Sequence, residues 1–243
     1  PLGKDVLLFQ AMTGTEGLSK LYSFDLNLLS AHHGISFKEI IGKNVTIAIA
    51  LADGKTRYIN GIVAEFSQSR SAEYGESGIV LSSYSARVVP WLWLLTRTTD
   101  SRIFQNMSVP EIVEKVFREK QFSDFKLNLK AVYEKKDYCV QYRETDFNFI
   151  SRLLEDEGIY YFFQHENGRH ALVMADDPGE HKLCPGQSSA RCRLHAGVTF
   201  YGEDVIEYLQ VSQEIRAGKF FLSDFNFETP NTSLNAEEPS NQT

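Results

Sequence analysis

Apolar and polar residues alternate with period two through much of the first half of the chain. Tyr22, Phe24, Leu26 and Leu28 face one way, and Ser23, Asp25 and Asn27 face the other. That is the pattern of a strand with one buried face. Val6, Leu7, Leu8 and Phe9 predict an earlier strand over residues 5–12, followed by a loop marked by Gly14 and Gly17. Phe37, Ile40 and Ile41 predict a single helical turn that ends at Gly42. Val45, Ile47, Ile49 and Leu51 alternate again, and Asp53-Gly54 is a tight hairpin signal. The return strand runs through Tyr58, Ile59, Ile62 and Val63, with Gly61 expected at a bulge or bend. Residues 79–89 predict a further long strand closed by Pro90. Hairpin-linked strands with no long helix between them imply an antiparallel barrel or sandwich.

The period changes near residue 100. Ser108-Val-Pro-Glu111 is a capping box, and Ile112, Val113, Val116 and Phe117 form the apolar stripe of a helix over 108–119. Phe125, Leu127 and Leu129 alternate as a short strand. Tyr138 to Phe163 then reads as strand, helix, strand. Thr145 caps a helix over 146–157, Asp146 sits in its favourable first turn, and Phe149, Ile150, Leu153 and Leu154 share one face. Gly158 ends the helix as a C′ glycine, and Ile159 to Phe163 is a well-buried strand. Glu155, Asp156 and Glu157 crowd the helix C-terminus, where the macrodipole favours cations, so the cluster is either a solvated end or held by a contact. A hairpin at 166–169 leads into a return strand over 171–174, and 176–195 reads as a loop. Strands are expected over 205–211 and 220–227, and 231–243 reads as a frayed polar tail or the cut end of a longer protein. This organises the chain as a β-barrel over 1–100, an α+β domain over 101–195 and the start of a second, incomplete barrel over 196–243.

Composition narrows the function classes. The 243 residues are 42% hydrophobic and 23% charged, enough to bury a real core, and 17 Phe and 11 Tyr lean toward β structure. A net charge of −7 argues against nucleic acid and anionic membranes as main ligands. No apolar run approaches a membrane span, and no signal-peptide pattern is present. Three cysteines at irregular spacing do not make a disulfide scaffold, which fits synthesis in a reducing cytoplasm.

Candidate chemistry is sparse. His181, Cys184, Cys192 and His195 form an H-x2-C-x7-C-x2-H pattern with the donor set of a tetrahedral zinc site, but the short knuckle of structural sites is missing. No nucleophile elbow, P-loop or dinucleotide fingerprint occurs, and Cys139 reads as a small core residue within a strand. The expectation is therefore of no catalytic residue, no cofactor and no metal. Trp91 and Trp93 lie among Leu92, Leu94 and Leu95, where they cap the barrel core or seal it against the next domain. The alternative is an aromatic platform for a carbohydrate or small ligand.

The run from Val140 to Phe163 resembles the signature of the VgrG family of type VI secretion spike proteins, close to Q-Y-x-E-S/T-D-x-x-F-x-x-R-L-x-E-x-E-G-I-x-Y-x-F. Gln141, Tyr142, Glu144, Thr145, Asp146, Phe149, Arg152, Leu153, Glu155, Glu157, Gly158, Ile159, Tyr161 and Phe163 fall on it. Tyr22-Ser-Phe-Asp-Leu, Gly61-Ile-Val and Tyr84 to Leu95 resemble earlier family segments, so the resemblance covers roughly 5–230. It implies a mainly β, α+β fold of the phage tail hub type: barrel-like tube domains with an inserted α+β domain. It further implies a homotrimeric structural hub that docks on the secretion tube protein and carries a needle, a spike-tip protein and effectors. The chain would be made without a signal peptide and exported by type VI secretion. The family's needle lies beyond what this chain contains, and the resemblance supplies no catalytic residue.

Overall fold

A computed structural model of the chain describes residues 6–51, 54–74, 80–182, 189, 191–192, 205–206, 208–215 and 217–240. They fall into two compact units, Pro1–Gly186 and Gln187–Thr243.

The first unit opens with five strands: β1 (Leu8–Thr15), β2 (Ser23–Ser30), β3 (Asn44–Ala50), β4 (Thr56–Tyr74) and β5 (Val80–Val89). They form one antiparallel sheet in the order β1-β2-β5-β4-β3, curled into a half-barrel. Alternation places Phe24, Leu26 and Leu28 of β2 and Tyr84, Ala86 and Val88 of β5 on the buried face. On β4 the pairing with β5 shifts between Val63 and Glu65. This bulge turns both Val63 and Phe66 inward, although strict alternation would separate them. Phe66 stacks on Tyr84, with ring centroids 5.4 Å apart.

Two glycines depart from their expected roles. Gly14 lies inside β1, opposite Phe24, and an added Cβ would overlap the Phe24 ring. Gly61 pairs regularly with Val45 instead of forming the bulge. A Cβ there would lie 2.5 Å from Val88 Cγ1 and 2.8 Å from the Val89 carbonyl oxygen. Both glycines serve close approach, a role that a turn signal does not distinguish.

A 3-10 helix at Trp91–Arg97 leads out of the half-barrel into β6 (Thr99–Phe104) and α1 (Val109–Glu119). Then come β7 (Phe125–Asn128), β8 (Cys139–Thr145), α2 (Asp146–Asp156), β9 (Tyr160–Glu166) and β10 (Arg169–Ala175). β6 pairs with β8 as an antiparallel ribbon. β7 runs parallel to β10, and β9 runs antiparallel to it. α1 starts with the Glu111 carboxylate accepting from the Ser108 N–H at 2.8 Å. Its stripe of Ile112, Val113, Val116 and Phe117 is fully buried. One continuous core joins the half-barrel, both helices and the three-stranded sheet.

In the second unit β11 (Arg191–Cys192) runs parallel to β12 (Val205–Ile206), and β13 (Lys219–Leu222) pairs antiparallel with β14 (Ala236–Pro239). Several expectations change here, among them the strand expected over 220–227, which ends at Leu222. Residues 208–215, expected in part as strand, have no regular structure. The supposed frayed tail holds β14, which pairs through its backbone and carries an ion pair between Lys219 and Glu237. Ala-Glu-Glu-Pro has no alternation to announce a strand; the turn hydrogen bonds from Thr229 to Asn226 and from Thr232 to Thr229 return the chain to its partner. Among the described residues no helix is long and apolar enough to cross a membrane.

Candidate functional site

The strand-helix-strand motif surrounds a buried carboxylate. Asp146, the first residue of α2, is fully buried. Its Oδ1 accepts from Gln141 Nε2 at 2.9 Å and from Arg102 at 2.7 Å. Its Oδ2 accepts from Thr98 Oγ1 at 2.5 Å and from Lys120 Nζ at 3.1 Å. Burial pushes the Asp146 carboxyl up, but hydrogen bonds from Thr98, Gln141 and Lys120 and the Arg102 charge outweigh it and hold it below its ordinary range. The motif's Gln141 is equally buried, and its Oε1 accepts from Arg102 Nε at 2.8 Å while Nε2 also reaches the Glu144 carbonyl oxygen. Arg102 extends the network to Glu119 at 2.5 Å. β6, β8, α1 and α2 are thus tied through one carboxylate.

The other motif residues build the frame. Thr145 caps α2, its hydroxyl accepting from Asn148 N at 3.1 Å. Glu144 and Arg152 form a two-pronged pair, with Nη2 to Oε1 at 2.8 Å, and Arg152 also donates to the Val140 carbonyl oxygen at 2.7 Å. That pair raises the Arg152 pKa, chiefly through the Glu144 hydrogen bond. Phe149 and Leu153 are buried, and Phe149 stacks on Phe104. Gly158 has φ +69°, which only glycine adopts without strain. Tyr161 is buried; its backbone carbonyl accepts from Ser19 N at 2.8 Å, tying β9 to the β1–β2 loop. Tyr142 alone among the motif aromatics faces outward, 65% exposed, with the Arg143 guanidinium 5.2 Å from its ring. Arg143 is the extra residue where β8 bulges against β6, at φ +51°. In the acidic cluster Glu157 pairs with Lys136 at 3.1 Å, while Glu155 and Asp156 are exposed.

Sequence reasoning did not reach Thr98, Arg102 and Lys120. They lie 26 to 48 residues from Asp146 on elements without a shared period. A faint signal was available in Asp146 itself, a charge set against an otherwise apolar helix stripe.

The remaining candidates separate. Trp91 is 5% exposed and stacks on Phe122 at 4.6 Å and edge-on to Phe117 at 5.1 Å. Trp93 is only partly buried, with the Arg97 guanidinium 4.3 Å over its ring. One ring is core and the other is covered by a cation, so the carbohydrate platform on Trp91 and Trp93 is not supported. Cys139 is buried, and burial pushes its thiol up. His181 is exposed and stacks on Tyr160 at 5.1 Å, and Cys192 is an exposed thiol. Cys184 and His195 lie outside the described residues. Among the described residues no three His, Cys, Asp or Glu side chains converge on a metal position.

Comparison with known proteins places the same residues in a family. The family model described as phage tail baseplate hub (GPD) matches residues 15–243. The type VI secretion system spike protein VgrG1a of Pseudomonas aeruginosa is 43% identical over 241 residues, covering 96% of this chain and 35% of the relative. The chain spans about a third of the length of the curated relatives it matches. Among solved structures, an E. coli type VI secretion component with structural similarity to T4 bacteriophage tail proteins superimposes with a TM-score of 0.66 at 26% identity. That match covers 76% of this chain and 49% of the other. A 43 kDa prophage tail protein from Shewanella oneidensis shares the fold, with a TM-score of 0.57 at 16% identity over 97% of this chain and 68% of the other.

Proposed function

Since the chain belongs to the phage tail baseplate hub family, we propose that it is the hub part of a type VI secretion spike, acting as a mechanical component without catalytic residues. The observation that carries this reading is the buried Asp146 network within a sequence homologous to VgrG spike proteins along 96% of its length. Asp146 is buried, and the Glu144–Arg152 and Glu157–Lys136 pairs bind further parts of the chain to each other. A site built for turnover would instead aim perturbed groups into a cleft.

On this reading residues 1–100 form the first tube domain, 101–195 the α+β domain and 196–243 the start of a second tube domain. Three copies form a ring that docks on the secretion tube protein. The ring carries the needle, a spike-tip protein and effectors, and leaves the cell with them by type VI secretion. The motif residues Gln141, Glu144, Asp146, Arg152 and their neighbours hold the inner frame that transmits load. Among the described residues, β1 and β3 each pair on one side only, at opposite edges of the five-stranded sheet. Pairing of such edges between copies would continue the sheet from one copy to the next. Light scattering of the intact protein at micromolar concentration tests the ring: a trimer is expected, and a monomer overturns it.

A further inference from the structure

The half-barrel and the three-stranded sheet meet at a buried polar knot centred on Asn60 of β4. Asn60 has no exposed surface, and the two hydrogens of its Nδ2 are shared among acceptors at Asn44 Oδ1 (2.8 Å), the Val45 carbonyl oxygen (3.0 Å) and Thr46 Oγ1 (2.8 Å). The carbonyl acceptor identifies the nitrogen end of the amide. Oδ1 is therefore the atom that faces His170 Nδ1 at 2.8 Å. An amide oxygen only accepts, so His170 Nδ1 carries a proton. Across the ring, the Trp91 backbone N–H donates to His170 Nε2 at 2.9 Å, so Nε2 carries none. Both ring nitrogens are committed, and only the neutral imidazole satisfies both bonds.

The ring is also enclosed. His170 is 3% exposed, with Tyr22 and Phe163 at centroid distances of 5.8 and 6.1 Å. The titratable groups facing it are Tyr22, just before β2, and His165 on β9, whose ring lies 6.3 Å away. Glu16, in the β1–β2 loop, contacts His165 Nε2 at 3.4 Å and not His170. A proton on His170 Nε2 would set one N–H against the Trp91 N–H in a site closed to water.

We propose that this knot is an acid-sensitive lock: protonation of His170 frees the Trp91 backbone and opens the seam between the half-barrel and the α+β part of the hub. The lock belongs to the single subunit and does not depend on ring assembly. Burial, with a smaller contribution from His165, pushes the His170 pKa down from 6.5 to about 4. The opened seam therefore holds one more proton than the closed one between those values. Closure is at full strength above about pH 6.5, weakens about tenfold per pH unit below it, and levels off near pH 4.

Amide exchange at Trp91 and the ring nitrogen shifts of His170, followed from neutral pH to about pH 4, test the lock. Expected are a ring with its proton on Nδ1 that stays neutral through its ordinary value and charges only toward about pH 4, and a protection factor at Trp91 that falls about tenfold per unit once corrected for intrinsic rate. The loss is confined to the seam, while β2 and α1 amides keep their protection. In His170→Gln, which cannot charge, Trp91 protection is flat with pH. A His170 ring titrating at its ordinary value overturns the lock, as does Trp91 protection that ignores pH or falls in step with β2 and α1. If the variant does not fold, the wild-type series decides alone.

Discussion

At the scale of single residues, the motif owes most to a carboxylate whose partners are remote in sequence. Asp146 is set against two cations, so its replacement takes the buried partner from Lys120 and leaves Arg102 to Glu119 and Asp100. D146N should cost about 3 kcal/mol in chemical denaturation. Its pH dependence has a definite sign. The folded carboxyl titrates below its ordinary value, so its stabilisation is complete above the usual carboxylate range and is lost as pH falls through the folded value. D146N should remove that slope. Arg143 supplies the opposite case, a residue whose backbone is strained. At φ +51° a Cβ is disfavoured, and R143G should be more stable than R143A by about 1 kcal/mol, since both variants lose the Tyr142 contact equally. Equal melting of the two would mean that the bulge relaxes.

At the scale of elements, periodicity reached the helices and the strands whose faces differ in polarity. α1 and α2 could be read because their caps and stripes agree. β6 and β14 could not: Thr-Asp-Ser-Arg-Ile-Phe and Ala-Glu-Glu-Pro lack a clear apolar face, and each is a strand because a partner offers its backbone. The end of α2 was left open by sequence, and geometry divides its acidic cluster. Glu157 is compensated by Lys136, whereas Glu155 is exposed against the helix dipole. E155Q should therefore stabilise by a few tenths of a kcal/mol, and E157Q should be neutral or slightly destabilising. Equal gains from the two would make Glu157 a solvated charge as well. Measured melting curves at low salt give the most sensitive comparison, because screening shrinks both effects.

At the scale of the whole molecule, one core runs through the first unit, and Trp91 lies in it between half-barrel and helices. At neutral pH, where the seam is closed, thermal unfolding should show one transition by tryptophan emission and by amide protection in β2 and α2. Two separate transitions would mean that the core divides at the seam. The sequence by itself determined the fold class, the elements with strong periodicity and the family, because alternation, caps and a long motif are local properties that survive without knowledge of contacts. Only the tertiary structure decided what closes on Asp146, why Gly14 and Gly61 lack side chains, and how Asn60 commits His170 to its neutral form. Those answers depend on atoms brought within 3 Å from strands up to 110 residues apart, and no local pattern encodes which distant donor will meet which acceptor.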